Sequence, residues 1–406
     1  FGAELDAWVA AKRLSEYGYS IRLISAGAGS LYYMGEGIHV LDNGKSDKNA
    51  SEKYPLKLIK QLNVEHPYKK IGVATIANAL HWFADTSHRL YQPLQVNKKN
   101  EMGISAIGLQ IPVCGVSPYQ ATVKRLKDQC ISIVHFIGHK DFTSKLIEKG
   151  VKEFVRDAEV IEIKAPTDLT DNVTLARSFD ELDDPSRYFS KLQERISTKT
   201  QAILFPAVIG MVKHKKLLDI AKCIFNVPCL EVPTLPPSIP GMRLDRAFSS
   251  NLKNSGVIIQ IGVGISKTSI QEKSDICVWD NMGRKYKASA CILSSGGVLM
   301  GGLEIDSYGV ISDPILNLNT FQSKPLLATS IEASLDALHA AGVETDHKLR
   351  PKLGESRALK NVFVTGRTLS HWNPALERSS EGVCITTGWN AAENAHQYLE
   401  RLNYGK

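Results

Sequence analysis

Apolar residues recur at helical spacing through "LDAWVAAKRLSEY" (residues 5–17), and Gly18 ends the run, so the chain is expected to open on an amphipathic helix. "YSIRLIS" (residues 19–25) follows as a buried strand, and "AGAGS" as the glycine-rich break after it. Loop, helix, strand in that order is the second half of a β-α-β unit. A right-handed crossover requires a parallel first strand beside the second, which places about six to eight missing residues before Phe1.

Helical patterning dominates residues 56–95, with "YPLKLIKQL" and "ANALHWFADTSHRL" as two helices. A new unit starts near residue 129. In it "QCISIVHF", "AEVIEIKAP" and "TQAILFPAVIG" read as strands, alternating with the helices "TSKLIEKGVKEFV", "PSRYFSKLQERI" and "KKLLDIAKCIF". Such alternation predicts an α/β domain with a largely parallel sheet. "EVPTLPPSIPGMRLDRAF" (residues 231–248) is the strongest break, with four prolines in eight residues, and helical spacing resumes at Met242. β-like segments follow to residue 297. The chain closes on the strand "NVFVTG", a long loop and the helix "VCITTGWNAAENAHQYLERL". The expected fold is α/β: a Rossmann-like domain, without its first strand, carrying an inserted α/β domain. Residues 1–110 form its N-terminal part, 111–230 the insert, 231–290 the Pro-rich segment with a β-rich substrate or cap region, and 291–406 the C-terminal part.

Composition narrows the function classes. The 406 residues suffice for a large buried core, and 43% hydrophobic with 22% charged residues is ordinary for a globular protein. No window reaches about 18 consecutive apolar residues, so no membrane-spanning helix is expected. The net charge of +7 is spread over scattered lysines, "KHKK" at 213–216 being among the densest groups. Neither zinc-finger spacing nor an aromatic-laced basic stretch is present, which argues against nucleic-acid binding. The seven cysteines are dispersed with no C-x-x-C, so a reducing, cytoplasmic location is expected, with no metal or iron–sulfur site on this chain. Cys114, Cys291 and Cys384 read as small core residues.

Three stretches carry chemistry. "FGAELDA" resembles the dinucleotide loop G-x-G-x-x-G, whose glycines allow a tight turn, close approach to phosphate, and helix–strand packing. Gly2 keeps the first position, Glu4 replaces the second glycine and Ala7 the third. Glu4 brings a carboxylate to the place of an anion. The acid that holds an adenosine ribose is replaced by Ser25. The loop is thus either a nucleotide site, through Gly2, Ala3, Ala7 and Ser25, or a surface turn. "ACILSSGGVLMGG" (290–302) is a strand running into Gly296 and Gly297, where a chain can pass close to a cofactor, or a buried strand with a flexible turn. In "NVFVTGRTLSHWNPALERSSEGVCITTG" (361–388) a strand ends at Gly366, and Glu381, Gly382 and Val383 open a helix whose positive end suits a reduced flavin ring. Arg367 and Arg378 add to that field, and His371 is either a proton donor near the ring or a polar loop residue.

Three segments resemble one family, the B subunits of anaerobic glycerol-3-phosphate dehydrogenases, within the fumarate-reductase-like flavoproteins. "VPTLPPSIPGMRL" is similar to that family's L-P-T-L-P-P-S-x-x-G-x-R-L segment, "GGLEIDSYGVISDPILNLN" to a second, and "GVETDHKLRP" with "NVFVTG" to a third. The resemblance implies an FMN-bearing subunit, with FAD as the other choice. It also implies two partners, a FAD-containing catalytic subunit and an iron–sulfur subunit that meets the membrane. The assembly's reaction would be oxidation of sn-glycerol 3-phosphate, a small phosphorylated polyol, to dihydroxyacetone phosphate, with electrons passed to quinone. FMN has no adenosine, which sits well with Ser25. "SH" at 370–371 and "RSSEG" at 378–382 depart from the family's glycines.

Arg243, Arg246 and Arg350 are candidates for anion contacts, with guanidinium geometry suited to phosphate, or for ion pairs at domain seams. With His371, Arg243 and Arg350 form the expected catalytic set. Two other readings stand beside the flavoprotein dehydrogenase subunit. One is a non-catalytic scaffold or electron-relay subunit with a degenerate flavin site, its partner binding substrate. The other is a stand-alone flavoenzyme, against which the Pro-rich segment speaks.

Overall fold

A computed structural model of the chain describes residues 1–35, 37–42, 54–90, 94–270, 275–323, 330–354 and 357–404. Helix α1 (Leu5–Glu16) follows the opening loop and ends against Gly18, whose φ of +80° lets the chain reverse. Every residue from Leu5 to Ala11 is buried, so the amphipathic pattern understates how deeply this helix sits. It lies along the C-terminal helix, where a Cβ on Gly388 would stand 2.4 Å from Asp6 O. Strand β1 (Arg22–Ser25) is shorter than expected, and it pairs in parallel with Ile258–Ile261, Arg22 opposite Ile258. Cys291–Leu293 pairs in parallel with Val362–Val364. Phe1 and Gly2 lie between the two pairs: Gly2 N donates to Ile24 O (2.8 Å), and Ser294 N donates to Phe1 O (2.7 Å). The β-α-β logic read from the sequence is therefore realised around α1.

The segment at 54–62 is not one helix but an α-turn (Pro55–Leu58) running into a 3₁₀ turn (Ile59–Gln61). Helix α2 (Val73–Leu90) follows. An antiparallel pair, β2 (Gln95–Ile104) with β3 (Gln110–Val116), leads into the next unit. That unit is a four-stranded parallel sheet of β4 (Cys130–Phe136), β5 (Asp157–Ile163), β6 (Ala202–Pro206) and β7 (Cys229–Val232), ordered β5-β4-β6-β7. Alternate residues feed two apolar layers. Val134, Phe136, Ile203 and Phe205 join one; Ile131, Ile133, Ala202 and Leu204 join the other. Both faces being covered, β6 reads as an unbroken apolar run, as a central parallel strand should.

After β7 the Pro-rich segment turns into helix α3 (Ile239–Asn254), which starts three residues earlier than the expected Met242. Pro240 sits in the first turn, where a missing N–H costs nothing, and Ser238 caps the helix by accepting from Gly241 N (3.1 Å). Gly241 allows close approach: a Cβ there would stand 1.8 Å from Leu31 O. Ser238 N also donates to Tyr32 O (2.7 Å), so the family-like proline segment clamps residues 30–33 against α3. A three-stranded antiparallel sheet (Ile265–Ser269, Ile276–Asp280, Lys285–Ala288) precedes Cys291, and α4 (Ser380–Tyr404) closes the chain.

Candidate functional site

The opening loop, the glycine exit at 296–297 and the turn at 366–368 converge on the N terminus of α1. Gly2 has φ +114°, and a Cβ there would fall 1.7 Å from Ser294 O, so only glycine fits. Gly296 N donates to Thr368 Oγ1 (3.0 Å), and a Cβ on Gly297 would stand 2.6 Å from Arg367 O. Gly366 N donates to Thr387 Oγ1 of α4 (3.0 Å).

Two buried carboxylates occupy this convergence. Asp6 is fully buried; its Oδ2 accepts from Ser294 Oγ (2.5 Å) and Thr365 Oγ1 (2.6 Å), tying α1 to the ends of two strands. Burial raises its pKa, and the two hydroxyls oppose the rise. Glu4 is the N-cap residue of α1 and is 4% exposed. Its carboxylate accepts from Ser30 N (3.1 Å to each oxygen) and from Ser30 Oγ. Burial raises its pKa as well, with Ser30 lowering it and Asp6 adding to the rise.

Arg367 donates through Nη2 to Ser380 Oγ (2.7 Å), while its Nε is buried with no hydrogen-bond partner among the described residues. It lines a small cavity with Gly296, Gly297, His339 and Trp372. Burial and the nearby Arg367 push the pKa of His339 down, Asp336 opposing, which holds the imidazole neutral at pH 7.

The expected site residues divide accordingly. Gly2, Ala3, Gly296, Gly297, Gly366 and Arg367 are brought together. Ala7 faces the other way, into a groove between β1 and Cys291–Leu293. Ser25 donates through Oγ to Gly27 O (2.7 Å) and so closes its own turn. Glu381 accepts from His39 N (3.3 Å), a Cβ on Gly382 would stand 2.3 Å from Tyr68 Oη, and Val383 is fully buried. That helix start therefore packs on the chain itself.

The catalytic set is dispersed. Arg243 is 3% exposed and bidentate to Glu231 (2.7 and 2.9 Å), its Nε donating to Gly210 O (2.9 Å); Arg246 is exposed. Arg350 is held by Asp346 (2.6 and 2.8 Å) within one turn. His371, at φ +64°, packs on the Phe321 ring with centroids 3.7 Å apart and faces Glu344. Burial and Lys70 push its pKa down, against Glu65 and Glu344. Arg243 and Arg350 thus hold ion pairs, the other reading of these arginines, and His339, not His371, lines the cavity beside Arg367. Asp6, Ser30, Ser294, Thr365 and His339 carry no signal in the sequence beyond their neighbourhood of the glycine turns.

This convergence of parallel strand ends on a helix N terminus defines a Rossmann-like flavin-binding fold of the kind used by flavin-linked oxidoreductases. The chain belongs to the FAD binding domain family, whose profile matches residues 7–383. It is 26% identical to the B subunit of the anaerobic glycerol-3-phosphate dehydrogenase of Vibrio vulnificus, over 97% of this chain and 94% of the relative. The corresponding B subunit of Yersinia pseudotuberculosis is likewise 26% identical, over 94% and 93%. Among solved structures, 3-ketosteroid Δ1-dehydrogenase from Sterolibacterium denitrificans aligns over 98% of both chains at 10% identity and a TM-score of 0.42. The resemblance read from the proline segment is thus borne out, and the family's cofactor class is a flavin, FAD by its description rather than the FMN expected. No described helix is long and apolar enough to cross a membrane.

The residues present fit that group only in part. On the ring side, the unpartnered Nε of Arg367 and the paired glycines suit a flavin edge. On the phosphate side they do not fit. The carboxylate of Glu4 stands at the α1 N terminus, Ser30 is committed to it, and a Cβ on Gly29 would come 2.1 Å from Ala3 O.

Proposed function

We propose that this chain is the B-type subunit of a quinone-linked glycerol-3-phosphate dehydrogenase complex that oxidises sn-glycerol 3-phosphate to dihydroxyacetone phosphate. The observation that carries this reading is the likeness to the B subunits of such dehydrogenases, which runs over 97% of the chain. Its proposed partners are a FAD-containing subunit and an iron–sulfur subunit, through which the complex would meet the membrane from the cytoplasm. Residues 1–110 and 291–406 would form the flavin domain, 111–230 the insert and 231–290 the cap.

Within the complex, the geometry favours a relay or scaffold role, with substrate held by the partner. Arg243, Arg350 and His371 each have protein partners and do not meet at one place, and Glu4 fills the phosphate end of the loop. The test is glycerol-3-phosphate-dependent dye reduction by the reconstituted assembly, with and without this chain, and by this chain alone. Turnover only when it joins its partners is the expected result. An assembly whose activity and subunit composition are indifferent to this chain would sink the proposal.

A further inference from the structure

In a dinucleotide-binding fold the first-turn N–H groups of the loop helix face an anion, and glycine at the second loop position lets the phosphate come close. Here the chain places its own anion beside that terminus, where it makes no capping bond to the first-turn N–H groups and turns instead to the crossing segment. Glu4 occupies that position, and its two oxygens take both donors of Ser30, the N–H (3.1 Å) and the hydroxyl. The crossing segment leaves no intervening layer, because Gly29 sits directly on Ala3 and the α3 residue Gly241 sits directly on Leu31. A second acid, Asp6, is buried one half-turn further along α1 with its own hydroxyl donors. A phosphate entering here would meet two buried carboxyls, with Arg367 as the cation that acts on Glu4.

We propose that the Glu4 carboxylate, held by Ser30, stands in the way of the cofactor's phosphate, so that this loop holds no phosphorylated flavin while Glu4 is in place. The proposal rests on the family reading of the loop and is independent of which complex the chain joins. It predicts a specific chemical signature. FMN and FAD both carry phosphate at this end, whereas riboflavin carries none, so removing Glu4 should help the first two alone.

The test is equilibrium titration of the full chain with FAD, FMN and riboflavin, following flavin fluorescence, for the wild type and for Glu4→Gly, Glu4→Ala and Glu4→Gln. Flavin released from each purified protein by denaturation gives the stoichiometry. Glycine is well tolerated at a helix N-cap, so Glu4→Gly is expected to keep the fold. Its binding of FAD and FMN should be about 100-fold tighter than wild type, the scale of one or two charge-assisted hydrogen bonds returned to a ligand phosphate. Glu4→Gln, which keeps the size and loses the charge, should fall between, and carries the test if Glu4→Gly does not fold. Riboflavin binding should be unchanged. Wild-type protein purified with one FMN or FAD per chain would overturn the proposal, as would an equal gain for riboflavin. Co-purification with partner subunits, measured on the same preparations, reads the complex separately: its failure would remove the proposed function and leave the Glu4 result standing.

Discussion

Replacing Arg243 tests what this arginine is for. Its guanidinium makes two bonds to Glu231 at 2.7 and 2.9 Å and a third to Gly210 O at 2.9 Å, with both side chains at most 3% exposed. Glu231 lies in the edge strand β7 and Arg243 in α3, so the pair fastens the helix to the four-stranded sheet. Removing one partner leaves the other charge buried and uncompensated, which costs about 3–5 kcal/mol. Replacing both by apolar residues of similar size returns most of that, to within about 1 kcal/mol of wild type. Arg243→Met, Glu231→Met and the double variant therefore form a cycle with a coupling of about 3 kcal/mol or more. Urea unfolding followed by far-UV circular dichroism measures it. Arg243→Lys should behave like a loss, because an ammonium cannot reproduce the bidentate fork. Additive single variants costing under about 1 kcal/mol each would refute the reasoning, as would loss of substrate affinity at unchanged stability.

Gly366→Ala should cost about 2–4 kcal/mol in the same assay, since φ is +56° and the new Cβ would fall 2.5 Å from the Asp6 carboxyl. Asp280 is held down to about 2 because hydrogen bonds from Tyr286, Arg284 and Met282 outweigh its burial. Its contribution is thus present above pH 3.8 and lost as pH falls toward 2, so Asp280→Asn should flatten the acid limb of a pH–stability curve. His214 is pushed down to about 2 by burial, then by Arg243 and Lys215, and folds neutral. It contributes fully above its ordinary 6.5 and increasingly opposes folding below it; His214→Gln should reduce the loss of stability between neutral and mildly acid pH, read by thermal melts at each pH.

Periodicity reveals the elements whose two faces differ. Helix α1, strands β4 to β6 and α4 follow directly from it, whereas β7 is only four residues long and runs into the Pro-rich break, so it escapes the pattern. Strands β2 and β3 escape it too, since their register shifts between Val96 and Glu101 and "NKKN" breaks the alternation with charge. Helix α3 starts within the proline run because a first turn accepts Pro240, which a rule against prolines in helices overlooks. At the site, the glycines were legible as places of close approach, but not what they approach. Gly366 abuts Asp6 and Gly382 abuts Tyr68, so protein stands close to these two glycines of the expected cofactor set, as the α1 backbone does to Gly388. The arginines stay open to two readings for a related reason: guanidinium geometry suits a carboxylate such as Glu231 as well as a phosphate, and only the fold says which is near.

The Glu4–Ser30 contact also bears on how the folded state is maintained. Proteins whose phosphate loop leaves donors unmet gain stability when a ligand fills it, and their melting temperature climbs with ligand concentration. Here the loop, the α1 terminus and the crossing segment are already joined through Glu4, and Asp6 with its two hydroxyls joins the same strand ends from inside. If Glu4 holds this end as proposed, the melting temperature should climb little with the concentration of a phosphorylated ligand.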